Sequence, residues 1–183
     1  MSSAEVLLQG PRLRLRPVRV ADATERYAGW MNDPEVNRFL ESRFAHHSPE
    51  DLQRFIETAQ ADPDVVFLAL ELNDSRRHIG NIKLGPINRR HRLGDIGLVI
   101  GEKDCWGQGL ATEAIQLLVE HAFRDLGLHK LTASCYANNA GSERAFLKAG
   151  FVVEGVRKRH FLCDGVFVDT QLLGKINPAE LAS

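Results

Sequence analysis

The feature that most limits what this chain can fold into is a strand, a glycine-rich turn and a long amphipathic helix in direct succession. Residues 93–101 (LGDIGLVIG) read as a strand interrupted by glycine, which in a strand marks a bulge or a close approach by another backbone or a ligand. Residues 110–126 carry Ile115, Leu118, Val119, Ala122, Phe123 and Leu126 at the helical period, and Gly127 is placed to end the helix. Between them lies Asp104-Cys105-Trp106-Gly107-Gln108-Gly109. Its glycines permit a tight turn with no β-carbon in the way. Successive N–H groups of such a turn, with the free N–H groups of the following helix, suit phosphate oxygens, and Thr112 adds a hydroxyl. The commoner phosphate loops do not fit. No Gly-Lys precedes a Ser or Thr, and the position three residues after Gly109 is Thr112 rather than glycine. On spacing alone, an ordinary capped strand-to-helix turn fits the segment as well.

The rest of the chain supplies a sheet around this unit. Residues 13–16 (LRLR) alternate apolar and charged, the period of a half-buried strand, and Pro17 closes it. Residues 22–31 predict a first helix and Asn32-Asp33-Pro34 a turn. Ser48-Pro49-Glu50-Asp51 predicts a second helix start, with Ser48 as the cap and Leu52, Phe55, Ile56 and Ala59 as the apolar stripe. Residues 65–70, 78–85 and 130–136 predict strands. Residues 142–149 predict a short helix, capped by Ser142 and stopped by Gly150. Residues 152–162 and 166–174 predict a closing strand pair around Asp164-Gly165. The order β-α-α-β-β-β-α-β-α-β-β predicts an α/β protein with a mixed α+β sheet. We expect a lead over residues 1–11, a single domain over 12–174 and a tail over 175–183.

Composition narrows the function classes. Hydrophobic residues make up 44% and charged residues 26% of the 183, which is ordinary for a globular chain of one domain. The 23 Lys/Arg and 24 Asp/Glu nearly cancel, so no nucleic-acid partner is expected. Cys105, Cys135 and Cys163 are far apart and form no Cys-x-x-Cys pair, which argues against a disulfide scaffold or a zinc site, and no metal is expected. They also lack a His at fixed spacing that would make an acyl-cysteine mechanism attractive. No apolar run approaches the roughly 20 residues of a membrane span, and the N-terminus lacks a secretory pattern. The expectation is a cytoplasmic protein with no membrane partner.

Three segments, in order, carry a family resemblance. They are the strand Asp95-Ile96-Gly97-Leu98-Val99-Ile100, the loop and helix Trp106-Gly107-Gln108-Gly109-Leu110-Ala111-Thr112-Glu113-Ala114, and Asn139-Ala140-Gly141-Ser142 followed by Phe146 and Gly150-Phe151. With the late segment Asp164-Gly165-Val166-Phe167-Val168-Asp169, the chain resembles the GNAT superfamily of acetyl-CoA-dependent N-acetyltransferases. The match is strongest to the branch of ribosomal-protein N-terminal (alanine) acetyltransferases and their small-molecule relatives. The resemblance implies an acyl-CoA N-acyltransferase fold, with a central, mostly antiparallel twisted sheet splayed between its fourth and fifth strands. It implies that Trp106, Gly107, Gln108, Gly109, Leu110, Ala111 and Thr112 bind the pyrophosphate of coenzyme A. Leu98, Val99 and Ile100 would lie along its pantetheine arm, and Asn139, Ser142 and Phe146 beside it.

The implied reaction moves an acetyl group to a primary amine by direct attack in a ternary complex. It needs a base for the amine, a donor for the carbonyl oxygen and a proton for the leaving thiolate. A backbone N–H near Leu98 or Val99 is the expected oxyanion donor. Asp95 is the candidate base, acting through a water, with Glu102 and Asp104 as lesser candidates. Many relatives place a tyrosine acid seven residues after the asparagine matching Asn139. Here that position is Phe146, which has no proton to give, and Ser142 becomes the candidate that positions the thiol or donates through solvent.

The acceptor is the least specified part. Residues 27–48 are expected to shape its site, with Trp30, Asn32, Phe39 and Arg43 as candidate contacts, joined by Tyr136 and His160. Arg76, Arg77, Arg89, Arg90 and Arg92 form a possible basic rim for coenzyme A, for an acidic partner or for solvent alone. The expected acceptor is a protein N-terminal amine or the amine of an amino sugar or other small molecule, and the protein a monomer or homodimer. Phe146 keeps open a second function: an acetyl-CoA-binding sensor or scaffold with little turnover.

Overall fold

The computed structural model describes residues 6–181; residues 1–5 of the expected lead and 182–183 of the expected tail lie outside the described residues. The chain runs β1 (Leu8–Gln9), β2 (Leu13–Pro17), α1 (Glu25–Asn32), α2 (Pro49–Ala61), β3 (Val66–Leu72), β4 (His78–Leu84), β5 (Leu93–Ile100), α3 (Leu110–Arg124), β6 (Lys130–Tyr136), α4 (Ala140–Lys148), β7 (Val152–Cys163) and β8 (Val166–Ile176). Among the described residues the eight strands join one sheet in the order β1-β2-β3-β4-β5-β6-β8-β7. The expected order of elements is present. One strand is added, because Leu8 and Gln9, within the expected lead, pair with Leu15 and Arg14 of β2.

The sheet carries a core on each face. Residues 66–72 read VFLALEL, and their side chains alternate between the two. Leu68 and Leu70 join Leu13, Leu15, Ile79, Ile82 and Ile96 under Ala114, Ile115, Leu118 and Ala122 of α3. Phe67 and Ala69 face the other way, against Tyr27 and Trp30 of α1 and Leu52 and Ile56 of α2. Each large side chain so buried contributes roughly 1.5–3 kcal/mol, so the strand is anchored from both sides. The α2 start forms as expected, with Ser48 accepting from the Asp51 backbone and Asp51 returning the bond. The α1 helix begins later than expected. Thr24 caps it, and Asp22 is drawn instead into an ion pair with the buried Arg16.

Two features position the site. First, β5 and β6 run parallel but stay paired only over Leu93↔Lys130, Gly94↔Leu131 and Asp95↔Thr132. Beyond that point β5 continues along β4 to Ile100, while β6 follows β8 to Tyr136↔Thr170, so the strands open like a V. Second, α4 starts beside the open end. Its cap is Asn139, whose Oδ1 accepts from the Ser142 backbone N–H at 3.1 Å. This corrects the expectation that Ser142 is the cap. The helix begins at Ala140, which places Ser142 within its first turn and leaves its hydroxyl out of the capping bond.

Candidate active site

A cavity of about 640 Å³ fills the V. Its β5 wall is Asp95 to Ile100, its β6 wall is Ser134, Cys135 and Tyr136, and residues 109–112 and α4 close one side. Strand alternation fixes which backbone groups face the gap. The Gly101 N–H donates to Ile79 of β4 and the Asp95 carbonyl accepts from Gly85, so odd-numbered residues here turn their backbone toward β4. The even-numbered Leu98 therefore turns its N–H into the V, and Val99 does not. Of the two expected oxyanion donors, the geometry favours Leu98.

The glycine loop leaves its donors open. Gly107 and Gly109 have φ of 72° and 78°, the left-handed region that a β-carbon disfavours. Gly109 is the residue before α3 and, having no side chain, caps nothing, so the first-turn N–H groups have no side-chain acceptor. A β-carbon at Gly107 would meet no atom within 4 Å, so a ligand can approach the loop closely. Arg12 and Lys148 line a second hollow here with Gly109 and Thr112. Donors, a helix N-terminus and two cations fit a pyrophosphate, and the cavity beyond has the length of β5 for an extended arm. Trp106 lines the cavity and ties its Nε1 to the Ile100 carbonyl at 2.9 Å. Gln108 turns its side chain back to the Asp104 carbonyl, and its own carbonyl accepts from Arg12 at 2.7 Å.

The expected basic rim is dispersed, with Arg77 at the start of this loop and Arg89 and Arg92 away from it. Arg77 pairs with Asp104 at 2.7 Å, Arg89 with Asp64 at 2.6 Å and Arg92 with Glu180 at 2.7 Å. Of the rim only Arg77 meets the loop, at its Asp104–Cys105 start; the cations lining the hollow at Gly109 and Thr112 are Arg12 and Lys148, neither singled out in the sequence. Among the described residues no cluster of His, Cys, Asp or Glu could hold a metal, and no helix is long and apolar enough to cross a membrane.

The catalytic candidates separate clearly. Asp95 lines the cavity at its closed end and accepts from Thr132 Oγ1 at 2.7 Å. It opens toward solvent through the cleft, yet the surrounding strands desolvate it and push its carboxyl above the ordinary range, against the Thr132 bond and the charge of Lys83. Glu102 and Asp104 are held elsewhere: Glu102 by Arg26, Arg77 and Trp30, and Asp104 by Arg77. Ser142 and Asn139 both line the cavity. Phe146 also reaches it but is 2% exposed and stacks edge-on against Phe151, part of the core rather than a proton donor. Burial pushes the Cys135 thiol up to about 11, so it is no thiolate nucleophile.

On the acceptor side the structure divides the expected residues. Phe39 and Tyr136 line the cavity, with Glu35 and Glu41 from the segment 27–48 expected to shape the acceptor site, and with Phe161, to which no sequence pattern pointed. Arg43 reaches it through the Tyr136 hydroxyl at 2.9 Å. Trp30, Asn32 and His160 are not brought in. Trp30 is buried at 6% exposure and donates to Glu102 at 2.8 Å. Asn32 is bonded to the His47 backbone in both directions. His160 sits in the β7 bulge, exposed beside Arg157. Asp169 holds that bulge through Lys158 and the Arg159 N–H.

Residues 12–152 match the acetyltransferase (GNAT) domain family. The chain therefore belongs to the GNAT acetyltransferases, and it is an acyltransferase that moves acetyl groups from acetyl-CoA to an amine. It is 31% identical to the probable N-acetyltransferase YjcK of Bacillus subtilis over 94% of this chain and 98% of that one. Its fold is similar to a spermidine N-acetyltransferase from Vibrio cholerae in complex with CoA and spermine, with a TM-score of 0.84 at 21% identity, covering 94% and 99% of the two chains. It is likewise similar to RimJ of Mycobacterium smegmatis in complex with CoA-disulfide, with a TM-score of 0.80 at 22% identity, covering 97% and 88%.

Proposed function

We propose that this protein acetylates a primary amine of a small molecule or a protein amino terminus by direct attack in a ternary complex. The observation that carries this reading is the V itself. One cavity meets both an open phosphate-type loop and a wall of aromatic rings and carboxylates, so donor and acceptor can reach the same gap from opposite ends. When bound, acetyl-CoA supplies the thioester carbonyl and the thiolate that leaves.

The loop from Gly107 to Thr112, with Arg12 and Lys148, holds the phosphates. Leu98 offers its N–H to the carbonyl oxygen, a role that requires no side chain. Asp95 takes a proton from the amine through a water; its raised pKa makes it a better base than an ordinary carboxylate. Ser142, whose hydroxyl is not used in capping, positions the thiol or donates to it through solvent at the α4 end of the cavity. Phe39 and Phe161, packed on either side against Tyr136, line the acceptor end of the cavity. The exposed carboxylate of Glu41 suits an acceptor that arrives as an ammonium, whereas that of Glu35 is already paired with Lys103, and the likeness to a spermidine enzyme supports that chemistry.

The test is thiol release from acetyl-CoA, followed with a thiol reagent against spermidine, a tripeptide with a free amino terminus and glucosamine. We expect at least one to accelerate release. Binding of acetyl-CoA with no acceleration by any of the three would favour the sensor reading instead.

A further inference from the structure

We propose that Glu41 and Tyr136 form a proton relay that strips the incoming acceptor ammonium at the mouth of the cavity, leaving Asp95 for the proton lost during attack. The inference rests on the amine-acetylation reading above. The acceptor arrives as R–NH3⁺ and leaves as an amide that keeps one N–H. Two protons must therefore depart, one reaching the sulfur of the leaving thiol and one released to solvent. A single carboxylate at the closed end handles only one at a time.

The geometry provides a second station. Tyr136 ends β6 where the V is widest, and its hydroxyl donates to Glu41 Oε1 while accepting from Arg43 Nη1 at 2.9 Å. A phenol has one proton and two acceptor positions. The proton is committed to Glu41 and one acceptor position to Arg43, so one acceptor position remains, on a residue that lines the cavity. An ammonium N–H can occupy it. The proton then passes from nitrogen to the Tyr136 oxygen as the Tyr136 proton passes to Glu41. The N–H bond breaks, an O–H bond forms on the carboxylate, Tyr136 is unchanged, and the amine is left neutral.

Every neighbour keeps the hydroxyl in place. Phe161 stacks on the Tyr136 ring at 5.0 Å and Phe39 leans on it at 5.6 Å. Arg43 is anchored to the Leu40 and Leu162 carbonyls at 2.7 Å each, so its charge stays fixed. Glu41 remains 61% exposed, which lets a protonated carboxyl return its proton to water. Burial and the bond to Glu41 hold the Tyr136 phenol up, and Arg43 opposes them, so the hydroxyl stays protonated at neutral pH. Arg43 Nη1 also lies 3.5 Å from Glu41 Oε1, and the other charged or titratable groups around this corner are Cys135 on β6 with Glu143 beside it, Arg144 on α4, Glu35 paired with Lys103, Arg38 over the Phe39 ring and paired with Asp164, and His160, which packs on the Phe161 ring outside the cavity.

The experiment compares wild type with Glu41→Gln and Tyr136→Phe by kcat/KM for the fastest of spermidine, tripeptide and glucosamine, from pH 6.5 to 10. Without the relay the enzyme must wait for free amine. We expect both variants to lose about 100-fold at pH 6.5 and to come within about threefold of wild type at pH 10, with KM for acetyl-CoA unchanged. A loss that stays constant across pH would assign the pair to binding alone and overturn the relay. An independent readout uses the two tyrosines of the chain, of which Tyr27 is pushed up to about 12 by burial. The phenolate absorbance of the earlier-ionising tyrosine should move to lower pH in Glu41→Gln, and an unmoved titration would also overturn the relay. A wild type inert toward all three amines sinks the transfer reading and the relay with it, whereas an active wild type with pH-independent variants sinks the relay alone.

Discussion

Glu113 on α3 holds the backbone of Arg12 at the start of β2. Its Oε1 accepts the N–H groups of Arg12 at 2.8 Å and Leu13 at 2.9 Å, and its Oε2 accepts Arg12 Nε at 2.8 Å. Arg12 in turn reaches the Gln108 carbonyl, so one carboxylate ties an early strand, the glycine loop and the following helix together. Glu113→Ala strands a buried N–H at Leu13 and should lower stability by about 1–3 kcal/mol, read from urea denaturation. Burial works against the Glu113 charge, but the bonds from Arg12 and Leu13 outweigh it and hold the carboxyl below its ordinary range. Its contribution is therefore complete above the ordinary carboxylate pKa and is lost as pH falls through the lowered one. The gap between wild type and variant should be constant above about pH 5 and narrow in acid; a gap that persists at low pH would show that the carboxylate charge is not what matters.

Gly109 and Gly127 flank the same helix with φ of 78° and 64°. An added β-carbon has room at both: its nearest neighbour at Gly109 is Arg12 Nη2 at 3.6 Å, and at Gly127 nothing lies within 4 Å. Alanine at either position should cost about 1–2 kcal/mol from backbone strain alone. Only Gly109→Ala should also weaken coenzyme A binding, by about tenfold, the equivalent of about 1.4 kcal/mol of phosphate contact. Calorimetry on both variants checks this. Equal affinities would remove the loop from the phosphate site.

Asn139 and Ser142 can be separated because only the first caps α4. Asn139→Ala should cost about 1 kcal/mol in thermal or urea unfolding, and Ser142→Ala less than about 0.5 kcal/mol. A fall in kcat for Ser142→Ala at unchanged stability would then report on the chemistry. If Ser142→Ala unfolds as readily as Asn139→Ala, the capping assignment is wrong.

What the sequence disclosed follows from the range of the interactions involved. The α3 period, the Ser48-Pro49 start and the β2 strand are set by neighbours a few residues away, and each appears where the pattern placed it, except that α3 ends at Arg124, two residues before the expected end, and Arg16 is buried. The partners of Glu113 lie 101 and 100 residues off, and Glu41 meets Tyr136 across 95 residues, so no local pattern points to either. Trp30 departs from expectation for a similar reason. It belongs to the segment expected to face the acceptor, but Gly101 at the end of β5 has no β-carbon, and one added there would lie 2.0 Å from the Trp30 ring. That absent atom lets the indole pack flat on the strand and bond Glu102, away from the cavity. Serine favours the capping place, which points to Ser142, yet Asn139 favours it equally and begins the helix two residues earlier than expected.

Asp95 and Thr132 meet at the last rung where β5 and β6 still pair, and the bond between them sets a pH dependence that can be moved by mutation. A base acts when deprotonated, so kcat should fall as pH falls through the Asp95 pKa. Desolvation raises that pKa, and the acid limb should stand above the range of an ordinary carboxylate. Thr132 opposes the rise by donating to the charged form. Thr132→Val keeps the branched shape that suits a strand and removes the donor, so the limb should move to still higher pH. Lys83 opposes the rise by its charge, and Lys83→Met should shift the limb the same way by a smaller amount. Asp95→Asn should abolish the limb and lower the plateau by about 100-fold. The measurement is a kcat profile at saturating amine for all four proteins. A limb that stays put in Thr132→Val and survives in Asp95→Asn belongs to another group, and Asp95 is then a structural residue at the closed end of the V.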